Sequence, residues 1–328
     1  MTRATLRLFP GLVLLHLCAG AALAETLQET ESKEWLNKIA NAARQLNYAG
    51  TFVYQHGDHV ETCRITHFVD RSGEYEKLET LDGPKREIIR NNDEILTFDA
   101  EHRVLKRERR TPRNSFPALL PDQLVHLTDH YQLRKGDLAR IAGYYAQALV
   151  LEPRDAFRYG HKLWADVATG LLLKARMLDE KGQVVEQSVF TQLVIGSAVT
   201  RESVRPSFDP QDPQLRREFQ GPDSAARADT GWTVNNQPAG FRKIIEMKRF
   251  KAGTQAPVAH LVYSDGLAAV SIFIEPLPAG SKVQEGPMRQ GAVNIYVRPL
   301  PDQLVTALGE APAVTVMQMA NSVTPRGQ

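Results

Sequence analysis

The chain has 328 residues, 42% hydrophobic and 24% charged, with 40 lysines and arginines against 38 aspartates and glutamates. That length favours two domains, and that apolar content supplies a sizeable core, which excludes disorder over the whole chain. A formal charge of +2 gives no broad basic footprint, which excludes nucleic-acid binding as a main role.

Arg3 and Arg7 precede an apolar run from Leu8 to Ala22, and Ala22-Leu23-Ala24 places small residues where a signal peptidase needs them. Residues 1–24 are therefore expected to be a signal peptide cleaved before Glu25. The run is too short for a membrane span, and Leu17 before Cys18 is too bulky for a lipoprotein site. Without this leader the formal charge falls from +2 to zero and Cys63 is the single cysteine, so no internal disulfide is expected.

Thr30 or Ser32 is placed to cap a helix running to about Leu46, with Trp35, Leu36, Ile39, Ala43 and Leu46 at helical spacing. Next, YAGTFVYQHGDHVETCRITHFV reads as two strands about a turn at His56-Gly57-Asp58. Short strands follow at Glu76 to Thr80, Glu87 to Arg90, Ile95 to Phe98 and Val104 to Arg107, with turns at residues 81–84 and 91–93. The spacing of Leu124, Leu127 and Tyr131 predicts a second helix from Pro121 to about Tyr131. Gly143 to Leu151 reads as a strand. From Arg158 to Phe190 come three more, joined by turns at Gly170 and Gly182, with Leu171, Leu173, Ala175 and Met177 on one face of the middle strand. In the third, Val185, Val189, Leu193 and Ile195 are assigned to one face. Regular short strands at this spacing predict a barrel or strongly curved sheet.

From Pro206 to about Ala228 the composition turns to Pro, Asp, Gln, Arg and Gly, a linker. Beyond it a smaller mixed domain is expected, with strands at Phe241 to Phe250, Ala259 to Ser264, Leu267 to Glu275 and Ala292 to Arg298. Asp265-Gly266 signals a tight hairpin, and Ala313 to Val323 reads as a strand passing into a short helix.

Few residues carry chemistry. His56, His59, Cys63 and His67 have metal-ligand types, but on an extended strand residues four apart lie about 13 Å from each other, too far for one zinc. Cys63 has no nucleophile motif around it and reads as a packed side chain. There is no phosphate loop, His-Glu-x-x-His or Gly-x-Ser-x-Gly, and no paired carboxylates set for acid and base work. No catalytic residue, cofactor or metal is therefore assigned. The basic run KRERRTPR, Lys106 to Arg113, offers Arg109, Arg110 and Arg113 to an anionic ligand; with Glu108 interrupting it, the plainer reading is a solvated strand end. Trp35 and Trp164, with Leu173, either line an apolar cavity or belong to the core, and the sequence leaves both open.

Several blocks resemble the RseB/MucB family of periplasmic sigma-E factor regulatory proteins. They are A-G-T-F-V-Y with T-x-R-I-x-H, then L-D-G-P-K-R-E, then R-Y-G-H-K-L-W-A-D, T-G-L-L-L-K and G-Q-V-V-E-Q-x-x-F, and finally V-Y-S-D-G-L-A-A-V-S-I-F-I-E and G-A-V-N-I-Y. The resemblance implies an α+β chain. A sensor domain over residues 25–205, an unclosed antiparallel β-barrel covered by helices and similar to LolA and LolB, would be followed by a linker at 206–228 and a smaller α+β partner-binding domain at 229–328. It also implies a periplasmic, non-enzymatic protein that binds the periplasmic part of an inner-membrane anti-sigma factor, RseA or MucA, and shields it from regulated proteolysis. Release would follow a lipid-like signal such as lipopolysaccharide or a lipoprotein acyl chain, and homo-oligomerisation is left open. A lipid or lipoprotein carrier is the alternative, and an exported hydrolase the third reading.

Overall fold

The computed structural model describes residues 14–109, 115–121, 124, 126–220, 229–250, 257–278 and 280–327. Helix α1, Leu14–Gln45, runs through the expected cleavage point and through Thr30 and Ser32, so neither caps its start as the sequence predicts. Its stripe of Leu36, Ile39 and Ala43 is buried as the spacing requires.

One large sheet follows, in strands β1 Tyr48–His56, β2 His59–Asp70, β3 Gly73–Thr80, β4 Arg86–Asn91, β5 Glu94–Asp99, β6 Val104–Arg109, β7 Tyr131–Ile141, β8 Tyr144–Pro153, β9 Gly160–Asp166, β10 Leu172–Leu178, β11 Val184–Ile195 and β12 Arg216–Gln220. Their spatial order is β12-β6-β5-β4-β3-β2-β1-β11-β10-β9-β8-β7. All pairs are antiparallel except β12, which joins β6 in parallel, so the sheet is open and mixed. It curls strongly: the Tyr144 hydroxyl, at the start of β8, donates to the Leu193 carbonyl of β11 at 3.3 Å. The concave face and α1 enclose the main core, built on Tyr48, Phe52, Ile65, Leu149, Leu151, Leu163 and Phe190.

The second helix predicted over Pro121 to Tyr131 shrinks to a single turn, α2, Leu127–His130, and Tyr131 opens β7, a strand the periodicity does not predict. Part of the expected linker is also structured. Arg216–Gln220 pairs with β6, Phe208 stacks on Phe98 at 4.3 Å, and the backbone N–H of Ser207 donates to Glu87 at 2.8 Å. Residues 221–228 lie outside the described residues.

The smaller domain is a six-stranded sheet of β14 Arg242–Phe250, β15 Pro257–Ser264, β16 Ala269–Pro276, β17 Gly286–Gln290, β18 Val293–Pro299 and β19 Gln303–Gly309, in the order β14-β15-β16-β19-β18-β17. Helix α3, Ala313–Asn321, buries Val316, Met319 and Ala320 against it. A ribbon of β13 Trp232–Val234 and β20 Val323–Pro325 closes the end. At this end the predicted order of strand then helix is reversed. The tight Asp265-Gly266 hairpin is a four-residue connection between Ser264 and Ala269. Among the described residues helices are few, so the α+β expectation gives way to a mostly β molecule with a large open sheet and a small second one.

The two sheets meet through buried polar contacts. Arg158 Nη1 donates to Asp265 Oδ2 at 3.1 Å with both side chains fully buried, Arg158 Nη2 donates to the Ala239 carbonyl, and Tyr131 OH donates to the same Asp265 oxygen at 3.4 Å. Thr315 Oγ1 donates to the Phe157 carbonyl at 2.7 Å, and Asn294 Nδ2 to Tyr159 OH at 2.8 Å.

Candidate functional site

A cavity of about 310 Å³ opens on the concave face, at the small end of the range of about 300–1,000 Å³ usual for small-molecule sites. Its floor is apolar. Phe52 of β1 and Phe116 of segment 115–121 line it with ring centroids 5.2 Å apart, both packed on the buried Phe190 of β11, and Leu78, Leu119, Leu120 and Leu163 extend the same surface. The second domain completes the wall with Leu267 and Glu310. The cavity therefore belongs to both domains.

Three β-bulges decide which side chains reach it, because one extra residue reverses the alternation beyond it. Leu173 is the extra residue between Leu172 and Lys174, which explains why Leu171, Leu172 and Leu173 are all fully buried. Val185 and Thr191 are the extra residues in β11. They bring Glu186, Ser188 and Phe190 to the cavity side, and move Val185 to a separate cluster with Tyr159 and Ala292. The face assigned to Val185, Val189, Leu193 and Ile195 is thus corrected, as is the strict alternation through Leu171 and Leu173. At the Thr191 bulge only glycine fits opposite: a Cβ on Gly50 would lie 2.5 Å from the Gln192 carbonyl oxygen and 2.9 Å from the Phe190 ring.

The rim is acidic, with Glu61, Glu76, Glu186 and Glu310 beside Arg176 and His161. The Tyr54 hydroxyl donates to Glu186 Oε2 at 3.0 Å. Burial, reinforced by the charge of Glu310 across the domain boundary and opposed by the Tyr54 hydrogen bond, raises the Glu186 carboxyl to about 7. Burial lowers His161 to about 4, so it is neutral at physiological pH. Burial first, then Glu61 and Asp82, pushes the Cys63 thiol up to about 12. A thiol so protonated is no nucleophile, and Cys63 packs in the cavity wall. The arrangement is suited to holding an elongated apolar group whose polar end is neutral or cationic.

Of the residues assigned from sequence, Trp35, Trp164 and Leu173 lie outside this cavity's lining. Trp35 is half-buried on α1 against the core, with Lys38 Nζ 4.8 Å from its ring. Leu173 sits in its bulge, and Trp164 points to the opposite face of the sheet, so none of the three lines the cavity. Arg109 ends β6 with its backbone opposite Glu94; its side chain, and Arg110 and Arg113, lie outside the described residues. Of the same basic run, Lys106 reaches Glu218 at 3.8 Å and Arg107 pairs with Glu94. The four candidate ligands are dispersed: His67 bonds the Leu46 carbonyl at 2.8 Å and Glu74 at 3.2 Å, His56 and His59 lie at the hairpin turn, and Cys63 faces the cavity.

Comparison with known families agrees with the two-sheet division. The MucB/RseB N-terminal domain matches residues 31–208, and the MucB/RseB C-terminal domain matches residues 226–324. The chain belongs to the MucB/RseB family. Sigma factor AlgU regulatory protein MucB of Pseudomonas aeruginosa is 32% identical over 320 residues, covering 95% of this chain and 96% of that protein. Sigma-E factor regulatory protein RseB of Haemophilus influenzae is 27% identical over 318 residues, covering 96% of this chain and 97% of its own. Among solved structures, that of MucB in complex with MucA(peri) is 31% identical, with a TM-score of 0.72 over 90% of this chain and 100% of that one. MucB/RseB membership makes this a sigma factor regulatory protein, and the hydrolase reading falls away.

Proposed function

We propose that this chain is a periplasmic negative regulator of the sigma-E envelope stress response. It binds the periplasmic region of an inner-membrane anti-sigma factor and shields it from regulated proteolysis. The observation that carries this reading is the close overlap, over nine-tenths of the chain, with a MucB that was crystallised with MucA(peri). The leader pattern at residues 1–24 supports export to the same compartment.

Release is driven by an acyl chain entering the cavity of the larger domain, the sensor at residues 25–205, whose curved sheet is of the LolA/LolB kind. Each methylene buried there stabilises the occupied state by about 0.8 kcal/mol. Because Leu267 and Glu310 of the second domain form part of the wall, a long occupant displaces one domain against the other, which gives the signal two states to bias. The acidic rim disfavours a phosphorylated end group, so a lipoprotein-type acyl chain fits this cavity better than lipopolysaccharide. The test is calorimetric titration of the chain with the soluble periplasmic segment of the anti-sigma factor: saturable binding is expected, and a folded segment that gives no heat and no complex on gel filtration contradicts the reading.

A further inference from the structure

The face of the large sheet turned away from the cavity carries its own cluster. Residues directly opposite on neighbouring antiparallel strands share a face. Leu163 pairs with Leu149 and Ala175 and lines the cavity; Trp164, one residue on, pairs with Ala148 and Lys174 on the other side. Three cations stand over the Trp164 ring. Lys162 Nζ is 5.0 Å from its centroid, Lys174 Nζ 5.1 Å and the Arg176 guanidinium carbon 5.7 Å. The π-face holds each of them, yet crowding like charges over one ring is unfavourable. Burial first, and then the charges of Arg176 and Lys162, hold the Lys174 ammonium below its ordinary range.

Among the described residues no ion pair joins any of the three to a carboxylate. Glu152, on the same face of β8, is taken by Arg134 at 2.6 Å. Arg176 Nε donates to Gln187 Oε1 at 3.1 Å, and Gln187 in turn donates to Gln55 at 2.9 Å, which fixes the guanidinium on its strand. The cluster is thus positioned and half-buried, and its cations are held by the ring and by Gln187 with no ion pair among the described residues, although Lys162 also faces a second cavity that Glu152, Asp155, Asp179 and Glu180 line.

We propose that Lys162, Lys174 and Arg176, seated on Trp164, form a binding site for a phosphate group. Three converging cationic donors match the several oxygens and the double charge of a phosphate better than the two oxygens and single charge of a carboxylate. The phosphate is either free or carried on a lipid headgroup. Arg176 also lines the cavity, whereas Lys162 and Lys174 do not, so Lys162→Gln/Lys174→Gln, which leaves the cavity lining intact, separates this site from it.

The test uses the full chain, titrated calorimetrically with inorganic phosphate and, separately, co-sedimented with phosphatidylcholine vesicles with and without phosphatidic acid. Lys162→Gln/Lys174→Gln/Arg176→Gln is compared with wild type, with Lys106→Gln/Arg216→Gln as a control elsewhere on the sheet. At least one phosphate probe binds wild type and the control alike, and at least tenfold more weakly to the triple variant. Binding of inorganic phosphate identifies a free anion, and binding to phosphatidic acid vesicles alone identifies a headgroup. Should the triple variant fail to fold, Lys174→Gln alone carries the test, with a loss of threefold or more. No binding of either probe, equal binding by the variants, or tighter binding of a poly-glutamate peptide than of both probes overturns the proposal.

Discussion

Replacing Glu186 by Gln removes one ionisable group from the cavity and keeps an oxygen to accept from Tyr54. The folded carboxyl titrates at about 7 against an ordinary 4.5, because it is buried and faces Glu310. A carboxyl raised in this way binds its proton more tightly in the folded state, so its contribution is most favourable below pH 4.5 and is lost as pH climbs from 4.5 to about 7. Integrated over that window, ionised Glu186 costs about 1 kcal/mol at pH 5 and about 3 kcal/mol at pH 8. Glu186→Gln therefore stabilises the chain, by about four times as much at pH 8 as at pH 5, read from urea denaturation at both pH values with the slope held common. Glu310→Gln gives a smaller gain in the same direction, because it removes only the second cause of the shift. An effect of Glu186→Gln that is independent of pH, or a loss of stability that grows with pH, would refute the reasoning.

Arg158→Ala leaves the Asp265 carboxylate buried against the domain boundary without its guanidinium partner; a loss of about 3–5 kcal/mol is expected, seen as a lower melting temperature and faster proteolytic separation of the domains. Pairing it with Asp265→Asn, which removes the buried charge and keeps the oxygen that accepts from the Leu267 and Ala268 backbones, recovers much of that loss. Gly50→Ala forces a methyl into the Gln192 carbonyl and the Phe190 ring and costs about 1–3 kcal/mol, measured by thermal melting; a neutral result would mean that the Thr191 bulge relaxes freely. Cys63, buried and raised to about 12, resists an aromatic disulfide reagent at pH 8 in the native chain and reacts rapidly in denaturant. Prompt native reaction would show the cavity wall to be open.

The strands were legible wherever pairing is regular. The β1–β2 hairpin about Gly57-Asp58, the short strands through Val104, and the turns at Gly170 and Gly182 all read directly from alternation and turn residues. Legibility failed where one residue is inserted. Thr191, Val185 and Leu173 each reverse the inward and outward sides, and a one-residue shift changes every later assignment on the strand. Strand β7 escaped because its register slips between Lys135 and Leu138 and its edge is polar. The helical spacing of Leu124, Leu127 and Tyr131 came from residues that are apolar because they enter the core, Leu127 from a single helical turn and Tyr131 from the start of β7, with Leu124 packed against it. Asp265 read as turn chemistry, which it is: its Oδ1 accepts from the backbones of Leu267 and Ala268. Its other oxygen binds Arg158 from the other domain, a partnership 107 residues distant that no local pattern encodes. Glu186 and Glu310 were invisible as a pair for the same reason. The family, by contrast, was legible throughout, because whole blocks of residues carry it and single faces do not matter.

The most direct test of the account begins with the assembled complex of this chain and the soluble periplasmic segment of the anti-sigma factor, titrated with a diacylated lipopeptide and with its unacylated counterpart. Loss of the complex with the acylated peptide alone, and its persistence when Ser188→Phe fills the cavity, is the result predicted. A complex that survives saturating lipopeptide, with the acyl chain shown to occupy the cavity, would contradict the coupling between cavity and partner on which the account rests.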